Sequence, residues 1–232
     1  MLDQVKIENL LMIDIETVPQ CEQYDDLSDR WKKLWDHKAA QLAKNGETPD
    51  EIYSRAGIYA EFGKIVCISA GVVVPNGDGY TFRVKSYYGH DEKELLASFG
   101  DMLQVSFSGN GKFLCGHNAR EFDFPYLCRR MLINGLKIPQ ILDLSGKKPW
   151  EINHFDTMDL WKFGDFKSYT SLDLLAAVFD VPTPKDVMDG SQVYPVYYKE
   201  KDIEKIKTYC EKDILTLANI VMRFKGLPII EN

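Results

Sequence analysis

The spacing of apolar residues along the chain changes from segment to segment, and the changes mark out its elements. "LLMIDI", Leu10 to Ile15, is an apolar run too short for a helix and suited to a buried central strand. Thr17-Val18-Pro19 is expected to break it. Leu27, Trp31, Leu34, Trp35 and Leu42 then recur at helical spacing, with Asn45-Gly46 as the stop. Thr48-Pro49 predicts the cap and first turn of a second helix, so residues 22–62 form a helical insertion after the first strand. Strands over 64–74 and 80–88 flank "PNGDG" and predict a hairpin. A helix with an acidic start follows over 91–107, then a buried strand over 112–118 and a helix over 121–136. Residues 152–163 predict an extended segment, 170–181 a short capped helix, 182–195 a loop and 200–224 a long helix.

This order predicts an α/β fold with a mixed sheet, and two of its apolar strands, 10–15 and 112–117, end in polar residues. Ligands in such sheets lie off strand ends. The length of 232 residues predicts one large domain with a full core. The net charge of −7 argues against a broad basic face that grips duplex DNA. It leaves room for an enzyme that holds a few nucleotides at a strand end, or one that binds through metal ions. The five cysteines (Cys21, Cys67, Cys115, Cys128, Cys210) are odd in number and lack C-x-x-C spacing. With only four scattered histidines they do not predict a zinc site, and reduced thiols in a cytoplasmic protein are expected. "MLDQVKIENL" is not a signal peptide, no run reaches the length of a membrane span, and no G-x-x-x-x-G-K-[ST] is present.

The tripeptide Asp-Ile-Glu occurs twice, and its surroundings separate the copies. Asp202-Ile203-Glu204 lies among lysines at the start of a helix, where acids favour the dipole and a solvated face is expected. Asp14-Ile15-Glu16 lies in or just after a buried strand, where side chains two apart share a face. Two carboxylates there repel and are costly to bury unpaired, and a divalent cation with oxygen ligands is the simplest compensation. If the strand ended at Ile13, both acids would instead sit in water. Further on, Asn118-x-x-x-Phe122-Asp123 puts an amide at a strand end and an acid in a first helical turn. Asn118 as a helix cap, with Asp123 on the dipole, is the plainer alternative. Tyr-x-x-x-Asp occurs at Tyr87/Asp91, Tyr169/Asp173, Tyr198/Asp202 and Tyr209/Asp213. Only Tyr209 and Asp213 fall wholly inside a predicted helix, where i and i+4 share a face.

In this order the pieces resemble the three motifs of the DEDD exonucleases, a ribonuclease H-like superfamily, with Tyr209 pointing to the DEDDy branch. "DIETVP", "GHNAREFDFPYL", "FDTMDL", "TSLDLLAAVF", "MDGSQVY" and "YCEKDILTL" are similar to stand-alone proteins related to the 3′–5′ proofreading domain of family B DNA polymerases. The resemblance implies a ribonuclease H-like fold with a central mixed sheet flanked by helices, as one exonuclease domain over 1–232. It implies that Asp14, Glu16, Asp123 and Asp213 hold two Mg²⁺ or Mn²⁺ ions, with Tyr209 orienting the attacking water. Asn118, Phe122 and Thr17 are the substrate-binding candidates, and Asp156 is a candidate to support the ligands from behind. The implied reaction releases 5′-mononucleotides from the 3′ end of a single strand, DNA in preference to RNA. An RNA substrate and an inactive binding relative are the competing readings. His154 and Asp159 have the spacing of the histidine branch, but that assignment leaves the last helix without a role. Arg30, Trp31 and Trp35 are candidates to stack on single-stranded bases, against packing of that helix face. Lys162, Lys167 and Tyr169 are candidates to line the strand's path.

Overall fold

The computed structural model describes residues 2–44, 46–165, 169–183 and 188–230. The chain adopts the expected α/β architecture, a mixed sheet flanked by helices. Strands β1 (Leu10–Pro19), β2 (Gly63–Asn76), β3 (Gly79–Tyr88), β4 (Phe113–Gly116) and β5 (Phe155–Asp156) form one sheet in the order β3-β2-β1-β4-β5. β2 is antiparallel to both β1 and β3, whereas β4 is parallel to β1 and β5 is parallel to β4. β1 is therefore central, paired on both edges, and its apolar run is explained by burial on both faces.

Helices α1 (Asp29–Leu42), α2 (Glu92–Ser106), α3 (Asp123–Ile133), α4 (Thr157–Lys162), α5 (Leu172–Val178), α6 (Val193–Pro195) and α7 (Ile203–Phe224) surround the sheet. Odd positions of β1 (Leu11, Ile13, Ile15) pack with Leu96, Phe99 and Leu103 of α2 and Phe124 and Leu127 of α3. Even positions Leu10 and Met12 pack with Ile214, Leu217 and Val221 of α7. Helix starts follow their side-chain caps: Asp91 accepts from the Glu94 N–H at 3.0 Å, Ser171 from Leu174 at 3.2 Å and Asp202 from Lys205 at 2.9 Å. Gly77, at φ +57°, makes the two-residue turn of the β2–β3 hairpin.

Several boundaries differ from expectation. β1 does not stop at Thr17. It runs to Pro19, with a register shift between Glu16 and Thr17, so that Glu16 faces Cys67 while Thr17 faces Ile65. Pro19 is tolerated because it closes the strand. The second helix of the insertion is absent. Thr48 and Glu51 do form the predicted reciprocal cap, but turns and a 3-10 segment, Tyr53–Ile58, follow it. Gly57 lies against β1 so closely that a Cβ there would stand 2.9 Å from the Val18 carbonyl carbon, and a regular helix does not fit. Residues 152–163 are extended only at Phe155–Asp156, because Asp156 caps α4 by accepting from the Met158 N–H at 3.0 Å. The expected 182–195 loop contains helical turns from Gly190 onward, and its residues 184–187 lie outside the described residues, as does Asn45 of the expected helix stop.

The insertion has its own core, in which buried Trp35 meets Tyr53 and Phe62 edge-on at 5.7 and 5.3 Å. A buried ion pair ties its exit to the main domain. Arg130 Nε donates to Glu92 at 2.8 Å while its NH1 donates to the Ala60 carbonyl at 2.8 Å. The same Glu92 carboxylate accepts from the Ile65 N–H at 2.7 Å and the Asn134 amide at 2.9 Å. Glu92→Ala strands a buried guanidinium and is expected to cost about 3–5 kcal/mol, read from the urea unfolding midpoint.

Candidate active site

The site lies where the middle of β1 meets the first turn of α3 and the middle of α7. Asp14 and Glu16 continue the β1 face that Leu10 and Met12 turn toward α7. Asp123, buried in the first turn of α3, accepts the Ile15 backbone N–H at 3.1 Å, which pins α3 to β1 beside both acids. Tyr209 and Asp213, one turn apart on α7, complete the set, with Tyr209 buried and Asp213 half-buried. The structure thus brings together the four carboxylates and the tyrosine that the sequence singles out.

Their electrostatics are those of like charges sharing a dry volume. Burial raises the Asp14 carboxyl well above the usual range, and the charges of Asp123 and Asp213 raise it further. Glu16 is raised by burial and then by Asp14 and Asp213. Asp123 is pushed up to about 7, chiefly by burial, against the lowering effect of its backbone hydrogen bonds. Burial, the charges of Asp213 and Glu16 and a hydrogen bond with Asp213 hold the Tyr209 hydroxyl protonated. Among the described residues no lysine, arginine or histidine forms an ion pair with Asp14, Glu16 or Asp123.

Ligand atoms of Asp14, Glu16 and Cys210 lie within 4.8 Å of one another. Cys210 donates its thiol to Asp14 Oδ2 at 3.3 Å and lies 3.6 Å from the Asp14 carbonyl. Burial, a hydrogen bond with Cys67 and the neighbouring charges raise its pKa, so it is a protonated donor and not a thiolate. What remains is a set of carboxylate oxygens, which suits a hard, oxygen-seeking divalent cation. From the sequence, Cys210 and Cys67 read only as reduced thiols, with no place at the site. The missed signals were positional: Cys210 is three residues before Asp213 on the same helix face, and Cys67 is the β2 partner of Glu16.

Around this centre, Asn118 is not the cap of α3, a position taken by Phe122. It adopts φ +61°, and its N–H is held by Asp156 at 2.9 Å. Buried Asp156 also accepts from the Arg120 N–H at 3.1 Å, fixing the loop that leads to Asp123. Phe122 packs on the core and on Tyr126, at a ring separation of 5.4 Å, and with Thr17 and Glu16 it lines an open cleft. His154 accepts the Leu114 N–H at 3.2 Å and meets the Ile141 carbonyl at 2.7 Å, so both ring nitrogens are occupied within the core. Asp159 pairs with Arg120 and Lys162. These contacts make His154 and Asp159 structural and remove them as a catalytic motif. Trp35 is fully buried and donates to the Pro49 carbonyl at 2.8 Å, so it does not stack on bases. Trp31 packs edge-on to Phe62, Arg30 and Tyr169 are exposed, and Lys167 lies outside the described residues. The second Asp-Ile-Glu is a helix start, in which Asp202 caps α7 and Glu204 accepts from the Tyr88 hydroxyl at 2.8 Å.

The central strand thus carries two carboxylates toward a tyrosine and an acid one helical turn apart on α7. The chain belongs to the family of predicted 3′–5′ exonucleases related to the exonuclease domain of PolB, whose model matches residues 58–227. That match includes Asp123, Tyr209 and Asp213 and begins after Asp14 and Glu16. No curated protein matches. Solved structures similar to the chain include apo exonuclease I, at 10% identity and TM-score 0.43, covering 93% of this chain and 42% of that one. Product-bound exonuclease I gives 9% identity and TM-score 0.43, with coverages of 94% and 43%. The RNase domain of yeast Pop2 gives 11% and 0.45, with coverages of 94% and 77%. The chain thus spans less than half the length of the exonuclease I structures. Among the described residues no helix is long and apolar enough to cross a membrane.

The raised carboxyl pKa values set a stability profile for the metal-free chain. Asp123 titrates near 3.8 when unfolded and near 7 when folded, so in that window the folded chain binds more protons. Stability therefore falls as pH rises from about 4 to 7 and then levels. Asp123→Asn keeps an acceptor for Ile15 and removes the charge. In chelator, the melting temperature of this variant is expected to exceed that of the wild type at pH 7 and to match it near pH 4.

Proposed function

We propose that the chain is a metal-dependent 3′–5′ exonuclease, one domain over 1–232, that releases 5′-mononucleotides from the 3′ end of single-stranded DNA. The observation that carries this reading is the convergence of Asp14, Glu16, Asp123 and Asp213: the first two share a face of β1, Asp123 is hydrogen-bonded to the Ile15 between them, and the charges of Asp123 and Asp213 act on both. Two divalent cations, Mg²⁺ or Mn²⁺, held by these four carboxylates would neutralise the cluster and supply Lewis-acid stabilisation of the scissile phosphate and an activated water. The residues of the chain do the positioning. Asp123, tied to the Ile15 N–H, keeps α3 and β1 in register at the site. Tyr209 holds its proton across the working pH range, so its hydroxyl orients the attacking water and does not act as a base. Cys210 steadies Asp14 through its thiol. Asn118, Thr17 and Phe122 border the place of the terminal nucleotide.

DNA is preferred as the substrate on the family's stated relation to a polymerase exonuclease domain. The test is an assay on 3′- and 5′-labelled single strands, DNA and RNA in parallel, with Mg²⁺, Mn²⁺ or chelator. Stepwise loss from the 3′ end that needs metal and disappears in Asp14→Ala is expected, faster on DNA. No loss with either metal, from a folded protein, would leave the binding-relative reading. Tyr209→Phe is expected to lower kcat about 10²-fold without removing a limb of the pH–rate profile, because a protonated orienting group does not titrate in range.

A further inference from the structure

A cleft of about 470 Å³ opens beside Glu16, a volume ordinary for a small-ligand site. One wall is Ile15, Glu16 and Thr17 of β1, together with Phe122. The other wall belongs to the insertion, through Arg55 and Ile58, and the floor includes Tyr194. A larger hollow of about 620 Å³, between the end of α2 and residues 137–147, contains none of the acidic cluster.

The insertion wall is built to stay in place. The Tyr194 and Tyr198 hydroxyls donate to the carbonyls of Glu22 at 2.7 Å and Pro19 at 2.6 Å. The Tyr126 hydroxyl donates to the Gly57 carbonyl at 2.8 Å, and Gly57 sits directly on the Val18 backbone. Arg55 lies two residues before this anchored glycine and Ile58 directly after it. Ile58 is 54% exposed, an apolar side chain that lines a mainly apolar cleft. Half-buried Arg55 donates one N–H to the Leu42 carbonyl at 3.3 Å, and among the described residues no carboxylate forms an ion pair with it. A guanidinium has five donors in a fixed fork that matches a phosphate.

Building on the proposed function, the geometry points to the insertion as half of the terminal-nucleotide pocket. Arg55 binds the phosphate of the last nucleotide, and Ile58 packs on its base opposite Phe122. Substrate grip is thereby divided. The acidic cluster holds the metal ions, and Arg55, carried on the insertion, adds a positively charged side chain beside them. Because the phosphate of the last nucleotide is the scissile one, loss of Arg55 moves product affinity, KM and kcat together, whereas Ile58 contacts only the base and its loss moves KM and product affinity.

The test uses Arg55→Gln, Arg55→Lys and Ile58→Ala in the full chain, with Lys33→Gln on the exposed side of α1 as a control. Titration with dAMP and with deoxyadenosine in Mg²⁺ is set beside KM and kcat on a single strand. For Arg55→Gln, dAMP affinity is expected to fall and KM to rise on the order of tenfold, the worth of a charge-assisted hydrogen bond. Deoxyadenosine binding is expected to hold, and kcat to fall as KM rises, because the contacted phosphate is the one that reacts. Ile58→Ala weakens dAMP and deoxyadenosine alike, and Lys33→Gln changes nothing. Unchanged dAMP affinity in both Arg55 variants, with melting temperatures matching the wild type, would overturn the assignment. So would a wild type that does not bind dAMP. If the wild type binds dAMP but degrades no strand, the exonuclease reading fails. The Arg55 comparison still stands on dAMP alone.

Discussion

Carboxylates crowded into a dry volume cannot be held by their own attraction, and this molecule is organised around holding them anyway. Asp14 and Glu16 sit on a strand paired on both edges, so the sheet dictates their place whatever their mutual repulsion. Asp123 is bound to the same strand through a backbone hydrogen bond, and the two remaining groups are carried on a long helix whose buried stripe from Ile206 to Val221 locks it to the sheet. The repulsion is spread over elements that are each anchored elsewhere. Much of the apolar core in the two large clusters around β1 keeps a costly constellation in position.

The insertion follows the same logic at one remove. Its private core of Trp35, Tyr53 and Phe62 makes it a small body of its own. It meets the main sheet through tyrosine hydroxyls on backbone carbonyls and through the Glu92–Arg130 pair, contacts that are directional and not merely apolar. Directional contacts fix orientation as well as proximity, which a wall of a ligand cleft requires.

Much of this was legible in the sequence. The apolar run of β1, the hairpin with its Gly77 turn and the stripe of α7 announced a mixed sheet with helices. The position of Tyr209 and Asp213 inside a helix separated them from three chance copies of the same spacing. What was not legible depended on tertiary approach. The propensity signals at Thr48-Pro49 favoured a helix, but Gly57 had to lie on the Val18 backbone and a 3-10 path replaced it. Asn118 looked like a cap because its type suits one, yet the Asp156 carboxylate, distant in sequence, claimed its N–H and left Phe122 at the helix start. His154 and Asp159 matched a catalytic spacing that only their partners in space could dismiss. Cys210 was invisible as a site residue because a buried thiol and a core filler look alike in one dimension.

The register shift between Glu16 and Thr17 has an evolutionary side. Alternation along a strand is rigid, so adding or removing one residue turns every later side chain over. A bulge breaks that phase. Upstream of it, β1 is committed to presenting Asp14 and Glu16 in step. Downstream, the strand answers to the insertion that follows Pro19. The two halves can therefore drift independently, and the segment after the bulge can lengthen, shorten or be exchanged among descendants while the acids keep their orientation.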